Sequence, residues 1–118
     1  MLRRIEIRNR TRETVLADAA GVADTSALRR KGLLKHESLP AGDGLWIVPC
    51  EAVHTFGMRF AIDVLYLDRQ RKVLKVREHL GPWRMSACLR AHSILEVPAG
   101  TAARTRTARG DELEFIAL

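Results

Sequence analysis

The sequence predicts an α+β domain, mostly β, in which six or seven short strands and one principal helix form a strongly bent, antiparallel-rich sheet or small barrel. Short apolar and β-branched runs recur along the chain, separated by turns that contain Gly or Pro. Only one segment of useful length carries helix-start signals. The length of 118 residues suits a single hydrophobic core, so residues 1–118 are expected to form one domain.

The N-terminal segments predict a hairpin followed by the helix. Residues 4–8 alternate charged and apolar side chains, the period of a half-buried strand, and residues 15–18 can return as its partner. A cap residue at positions 24–26 can start a helix that runs to about Lys35. Gly32 lies inside this segment and weakens helix formation, which leaves the helix length open.

The middle of the chain predicts a β-meander. Residues 45–48 form a short apolar strand that Pro49 stops. Residues 61–67 are almost continuously apolar, which is typical of a central strand covered on both faces. Residues 73–80 follow after a polar turn and are expected to pair with that strand.

The C-terminal third predicts two further strands. Residues 94–97 form an apolar strand ended by Pro98, and residues 113–118 alternate as a closing strand. Residues 102–107 can make one helical turn between them. The segment 81–91 has no clean period, so no element is predicted there.

Composition favours a cytoplasmic, untargeted protein without a membrane partner. No apolar run has the length of a signal peptide or a transmembrane span. Two cysteines, Cys50 and Cys88, are too few for a disulfide framework, so free thiols are expected and a single bridge is the lesser alternative.

The net charge of +6 and pI near 10.1 raise the possibility of an anionic partner. The basic residues are scattered along the chain, however, and no nucleic-acid-binding signature accompanies them. Aromatic residues make up only 5%, which leaves a thin stacking platform, and Trp46 and Trp83 suit packing better than ligand contact. Nucleic acid is therefore not favoured as a partner from the sequence.

The densest cluster of unusual side chains lies between two predicted strands. It comprises Cys50, His54, Thr55, Met58 and Asp63, and with Glu96 these residues are the candidate ligand-binding residues. A carboxylate inside an apolar strand is costly to bury, so Asp63 is expected to accept backbone N–H groups or pair with an arginine such as Arg59. A binding or acid–base role for Asp63 is the alternative.

Glu96 is a second carboxylate in an apolar strand and could form a site together with Asp63. The favoured interpretation is that Glu96 faces solvent or pairs with an arginine.

Two C-x-x-x-H pairs leave a metal or thiol alternative open. Cys50 with His54 and Cys88 with His92 make a chemically complete zinc set, although structural zinc sites use a tighter cysteine pair. A thiol enzyme would use the same cysteine–histidine neighbours, but no oxyanion-hole loop supports it. No catalytic residue, metal or cofactor is predicted, and enzymatic activity is left undecided.

Three motifs in order carry a family resemblance. Residues 54–68 read HTFGMRFAIDVLYLD, residues 94–100 read ILEVPAG, and Gly110-Asp111 follows. From about residue 25 to 118 the chain resembles the prokaryotic domain-of-unknown-function family 192, also called uncharacterised protein family 0127. The resemblance implies a compact β-rich α+β domain and brings no established activity, substrate or cofactor. Its pattern marks His54, Thr55, Met58, Asp63, Leu95, Glu96, Pro98, Gly100, Gly110 and Asp111.

The favoured function is a binding or interaction module for an unidentified small ligand or protein. We expect His54 and Asp63 to meet in an accessible hollow, lined also by Thr55, Met58 and Glu96. The alternatives are a metalloprotein or thiol enzyme and weak nucleic-acid binding through a basic surface. Oligomeric state is left open.

Overall fold

A computed structural model describes residues 2–34 and 36–118, which form nine strands and two short helices. In chain order the elements are β1 (Arg4–Asn9), β2 (Thr14–Ala23), α1 (Ser26–Lys31), β3 (Leu45–Ile47), β4 (Ala52–His54), β5 (Ile62–Leu67), β6 (Val73–Leu80), β7 (Met85–Ala87), β8 (Ser93–Pro98), α2 (Thr101–Thr105) and β9 (Leu113–Ala117). The predicted α+β class, mostly β, is confirmed.

Seven strands form one sheet in the order β6-β5-β8-β3-β2-β1-β9. Only the β2–β3 pair is parallel among these neighbours, and the predicted pairing of β5 with β6 is present. The two edges approach each other where Lys72 bridges Glu112 and the Val73 N–H donates to the Asp111 carbonyl at 2.8 Å. The sheet is therefore strongly curled into a half-barrel.

The curled sheet has a core on each face. Leu65 and Leu67 of β5 pack inside the curl with residues of β1 and β2, whereas Val64 and Tyr66 belong to a second cluster on the outer face. Every residue of β5 is buried, as the continuous apolar run predicted. Because side chains alternate along a strand, neighbouring residues of β5 and β8 serve different cores.

Helix α1 is shorter than predicted. The Thr25 hydroxyl accepts the Leu28 N–H and starts the helix, in agreement with the expected cap. Gly32 ends it at a φ of 48°, a conformation that glycine adopts without steric cost. The predicted end at Lys35 lies outside the described residues. Within the described chain, neither helix has the length and apolarity that crossing a membrane requires.

Strands β4 and β7 were not predicted and form a separate two-stranded ribbon. Each has three residues, too few to show a period. The ribbon covers the outer face of the sheet, to which the Tyr66 hydroxyl ties it through a 2.7 Å hydrogen bond with Ser86 Oγ. Its presence also raises the strand number above the six or seven expected.

Candidate ligand-binding site

A small pocket of about 90 Å³ lies on the outer face of the sheet, between the end of α1 and the β4–β7 ribbon. We call it the Glu96 pocket. Its apolar walls include Leu33, Ile47, Val53 and Met58. Its polar lining consists of Cys50, His54, Glu96 and, on α1, Arg29 and Arg30. Four of the six predicted site residues therefore meet here: Cys50, His54, Met58 and Glu96.

Glu96 is the unusual group of this pocket. It lies on β8, opposite Leu45 of β3 and Val64 of β5, and its side chain is only 4% exposed. Its Oε1 atom has no hydrogen-bond partner among the described residues. Burial raises the pKa of its carboxyl group to about 7. The interpretation that Glu96 faces solvent or pairs with an arginine is wrong, because strands flank β8 on both sides and the pocket walls cover it.

Cys50 lines the pocket with its thiol. Its Sγ atom donates to the Ala52 carbonyl oxygen at 3.2 Å. Burial raises the pKa of this thiol above its usual value, whereas a nucleophilic cysteine needs a lowered pKa. This environment does not activate Cys50 as a nucleophile, so it gives the thiol-enzyme alternative no support.

The zinc alternative also lacks a ligand set. Within residues 2–34 and 36–118, no group of three or more His, Cys, Asp or Glu side chains could hold a metal ion together. Cys50 and Cys88 are both free thiols. The four residues Cys50, His54, Cys88 and His92 thus do not form the tetrahedral site that their spacing allowed.

His54 and Met58 enter the pocket from opposite ends of one tight turn. The Met58 N–H donates to the Thr55 carbonyl at 3.0 Å, and Gly57 adopts a φ of 85° between them. This turn buries the Met58 side chain in the pocket wall. His54 remains exposed, and its ring lies 5.1 Å from the Phe56 ring.

Thr55 holds the neighbouring loop and does not line the pocket. Its Oγ1 donates to the Gly81 carbonyl at 2.6 Å and accepts the Arg84 N–H at 2.9 Å. The Thr55 N–H donates to the Arg84 carbonyl, and its own carbonyl accepts the Trp83 N–H. This fully buried threonine therefore fastens residues 81–84 to the turn after β4.

Replacing Thr55 by valine should loosen that loop. Valine keeps the shape but removes both hydroxyl bonds, which leaves the Arg84 N–H without its acceptor, so we expect a loss of about 1–2 kcal/mol in unfolding free energy. Amide exchange at Trp83 and Arg84 should accelerate while β5 and β8 stay protected. Thr55→Ser, which keeps the hydroxyl, is the control. Equal exchange rates in the wild-type, valine and serine proteins would show that the Thr55 hydroxyl bonds do not hold the loop.

Asp63 lies on the other face of the sheet from Glu96. It pairs with Val97, which packs inside the curl, and its fully buried carboxylate accepts three backbone N–H groups. Oδ1 accepts from His79 at 2.9 Å, and Oδ2 accepts from Gly100 at 3.1 Å and Ala102 at 2.9 Å. The carboxylate thereby caps α2. Asp63 thus accepts backbone N–H groups, as the favoured interpretation of the sequence expected. The prediction that Asp63 and His54 share an accessible hollow is wrong, because the Asp63 carboxylate is fully buried inside the curl.

The sequence did not predict that α1 and the residue Leu33 form one wall of the Glu96 pocket. Leu33 and the two arginines of α1 cover Glu96 from a distant part of the chain. The Arg29 guanidinium donates to the carbonyls of Asp24, at 3.2 Å, and Val48, at 3.4 Å, so it is fixed beside the pocket. Neither residue type nor spacing signals this closure, because it depends on how the segment before β3 folds back on the sheet.

Fold and site together define a class: a curled, β-rich α+β domain with a small, partly polar pocket on the outer face of its sheet. The DUF192 family model, described as "Uncharacterized ACR", matches residues 7–115. The chain belongs to this family. A UPF0127 protein from Thermococcus sibiricus is 29% identical over 113 residues, a match that covers 91% of this chain and 72% of that protein. The family resemblance drawn from the three motifs is thus confirmed.

Two solved structures share the fold. A protein from Sinorhizobium meliloti 1021, described as a "putative transcription regulator", superimposes with a TM-score of 0.84 at 17% identity, covering 98% of this chain and 94% of its own. A protein of unknown function from Novosphingobium aromaticivorans DSM 12444 gives 0.78 at 20% identity, covering 94% and 83%. At these identities the likeness shows a common fold alone. The family and these neighbours bring no established function.

Proposed function

We propose that this protein is a binding module and that the Glu96 pocket is its ligand site. The observation that carries the proposal is the buried Oε1 of Glu96, which has no partner among the described residues. Leaving a buried polar atom unbonded costs stability, and such atoms are rare in folded proteins. A ligand that hydrogen-bonds Glu96 would recover that cost on binding.

The charges around the pocket favour a neutral ligand. Arg29 and Arg30 line it and disfavour a cation, while the carboxyl group of Glu96 disfavours an anion. With a pKa of about 7, Glu96 can donate through its protonated oxygen or accept through its ionised one. A primary carboxamide satisfies both states, since it offers an N–H donor and a carbonyl acceptor. The apolar walls suit a short aliphatic body attached to that amide.

Isobutyramide is a suitable probe of this site. Titrated into ¹⁵N-labelled protein, it should shift the amide resonances of residues around Glu96, Ile47 and Met58, with a Kd of about 1 mM. Isobutylamine and isobutyrate have the same body with opposite charges and should bind at least about 10-fold more weakly, because each meets a like charge at the pocket.

Two variants make this experiment decisive. Glu96→Leu should abolish the isobutyramide shifts, whereas Glu114→Gln, an exposed glutamate on β9, should leave them unchanged. Shifts scattered over the whole surface, or equal shifts in the Glu96→Leu protein, would refute the Glu96 pocket as the ligand site. Failure of all three probes to bind at tens of millimolar would refute the proposed ligand chemistry.

We also propose a cytoplasmic location. Two cysteines that both remain free thiols support it, since a reducing compartment keeps thiols unpaired. Fractionation of the cells that make the protein, followed by immunoblotting, tests this placement, and recovery from the membrane or exported fraction would overturn it.

A further inference from the structure

Three rings lie together at the end of the β4–β7 ribbon. The centroid of the Phe56 ring is 5.1 Å from that of His54 and 5.9 Å from that of Trp83, with interplanar angles of 32° and 23°. We call these residues the aromatic stack. Phe56 is 41% exposed and Trp83 is 65% exposed, so large aromatic surface faces solvent here. Exposed aromatic clusters of this kind mark interaction sites.

The aromatic stack is held in place by the backbone. Thr55 binds residues 81–84 through its hydroxyl and both of its backbone groups, with the Trp83 N–H donating to the Thr55 carbonyl at 3.1 Å. Trp83 has a φ of 61°, a conformation that bulky side chains rarely adopt. The chain therefore keeps the indole in a costly conformation and leaves most of it in water. Such strain persists where the surrounding structure fixes it, commonly at binding sites.

Basic side chains lie on the segments next to the aromatic stack. The segments 25–34, 52–61 and 79–88 contain Arg29, Arg30, Lys31, Arg59 and Arg84, and Asp24, Glu51 and Glu78 stand directly outside them. Arg29 and Arg30 line the Glu96 pocket together with His54. The segments adjoin one another, since Leu34 lies within 4 Å of the position that a Cβ on Gly57 would take. In the described part of the chain, none of the five forms an ion pair. Their charges are therefore free to meet an anionic partner.

We propose that the aromatic stack and its basic surroundings bind single-stranded nucleic acid. A single strand matches both features of this surface. Its unpaired bases present flat π faces to the aromatic rings, and its phosphates attract the basic side chains. A duplex hides its base faces, and an acidic peptide supplies charge without a regular series of rings. Trp83 is 65% exposed, so a base can stack on its free surface, and Arg84 follows directly in the chain.

This inference goes beyond the proposed function and does not depend on it. From sequence, nucleic acid was not favoured, because aromatic residues are few and the cations are scattered. The fold brings Phe56 and Trp83, two of the six Phe, Trp and Tyr residues, together with His54, and it places Arg29 and Arg30 in the lining that His54 shares. His54 also lines the Glu96 pocket, so the test rests on Trp83 and Phe56, which do not line it.

Fluorescence anisotropy with labelled oligothymidylate and oligouridylate of about 12 nucleotides tests the proposal. At low salt the protein should bind at least one of them at least about 10-fold more tightly than a duplex of equal length, and the preferred strand identifies DNA or RNA. Trp83→Ala and Phe56→Ser should each weaken binding about 10-fold. Arg84→Gln should reduce the slope of log K against log salt by about 0.7. Leu89→Ala and Arg69→Gln replace exposed residues outside the aromatic stack and should change neither value.

Circular dichroism and thermal melting of each variant show that it is folded before binding is compared. Equal affinity for single strand and duplex, or binding that Trp83→Ala and Phe56→Ser leave intact, would overturn the proposal in favour of charge attraction alone. Absence of binding at low salt would also overturn it. Sedimentation velocity of the wild-type and Trp83→Ala proteins tests for self-association through the same surface. If the protein binds no oligonucleotide and self-associates only when Trp83 is present, the surface binds a second copy of the chain instead.

Discussion

Replacing Asp63 by alanine is expected to lower the free energy of unfolding by about 3–5 kcal/mol. The carboxylate accepts the N–H groups of His79, Gly100 and Ala102 and is completely buried, so water cannot replace it. These three donors join the end of β6 and the start of α2 to the central strand. A loss of this size is a large part of the stability of an ordinary domain, and urea denaturation followed by circular dichroism measures it.

Two further variants separate this role from a general effect of removing an aspartate. Asp63→Asn keeps one acceptor oxygen and should lose less than the alanine variant. Asp68 also accepts two backbone N–H groups, from Gln70 and Lys72, but it lies at a partly exposed turn. Asp68→Ala should therefore cost only about 1 kcal/mol. If Asp63→Ala stayed within 1 kcal/mol of wild type, the three hydrogen bonds would not be an anchor of the fold.

The second large effect concerns the pH dependence of stability and Glu96. Below about pH 4.5 the carboxyl group is protonated in the folded and unfolded chains alike. Between that pH and about 7 only the folded chain keeps the proton, so the free energy of unfolding falls as pH rises. At about 1.4 kcal/mol per pH unit the total loss is about 3 kcal/mol, and it levels off above pH 7.

Glu96→Gln removes this titration without removing the side chain. Relative to wild type, the glutamine variant should gain about 3 kcal/mol between pH 4.5 and pH 8, because all other titrating groups contribute equally to both proteins. Urea melts at a series of pH values give the difference, and Glu114→Gln, at an exposed position, should show no such trend. A difference between the Glu96→Gln and wild-type proteins that is independent of pH would show that Glu96 titrates normally and is not desolvated.

Local pattern was enough to predict most of the main sheet. The apolar run around β5, its partner β6 and the strand before Pro98 each follow from side-chain period and turn residues, which lie next to one another in the chain. The start of α1 followed from the cap residues at positions 24–26, whereas its end at Gly32 falls before the predicted end at about Lys35. The three-residue strands β4 and β7 could not be predicted, because their extended conformation depends on pairing with each other and packing over Tyr66.

The candidate site was predicted in part for the same reason. Unusual residue types identified Cys50, His54, Met58 and Glu96, which do share a pocket. Residue type could not show that Thr55 binds the loop at residues 81–84 or that Asp63 caps α2. It also could not show that Phe56 and Trp83, 27 positions apart, stack on each other. Each of these roles depends on a neighbour distant in sequence.

The sequence by itself determined the mostly β class, the strongest strands, the family and the polar residues that merit attention. The tertiary structure alone decided on which face of the sheet each carboxylate lies and what covers it. Asp63 and Glu96 both occupy apolar strands, yet one meets three backbone donors inside the curl and the other lies beneath α1 with an unbonded oxygen. Strand alternation is a local property, whereas strand register and the elements that cover a sheet are set by packing between distant segments.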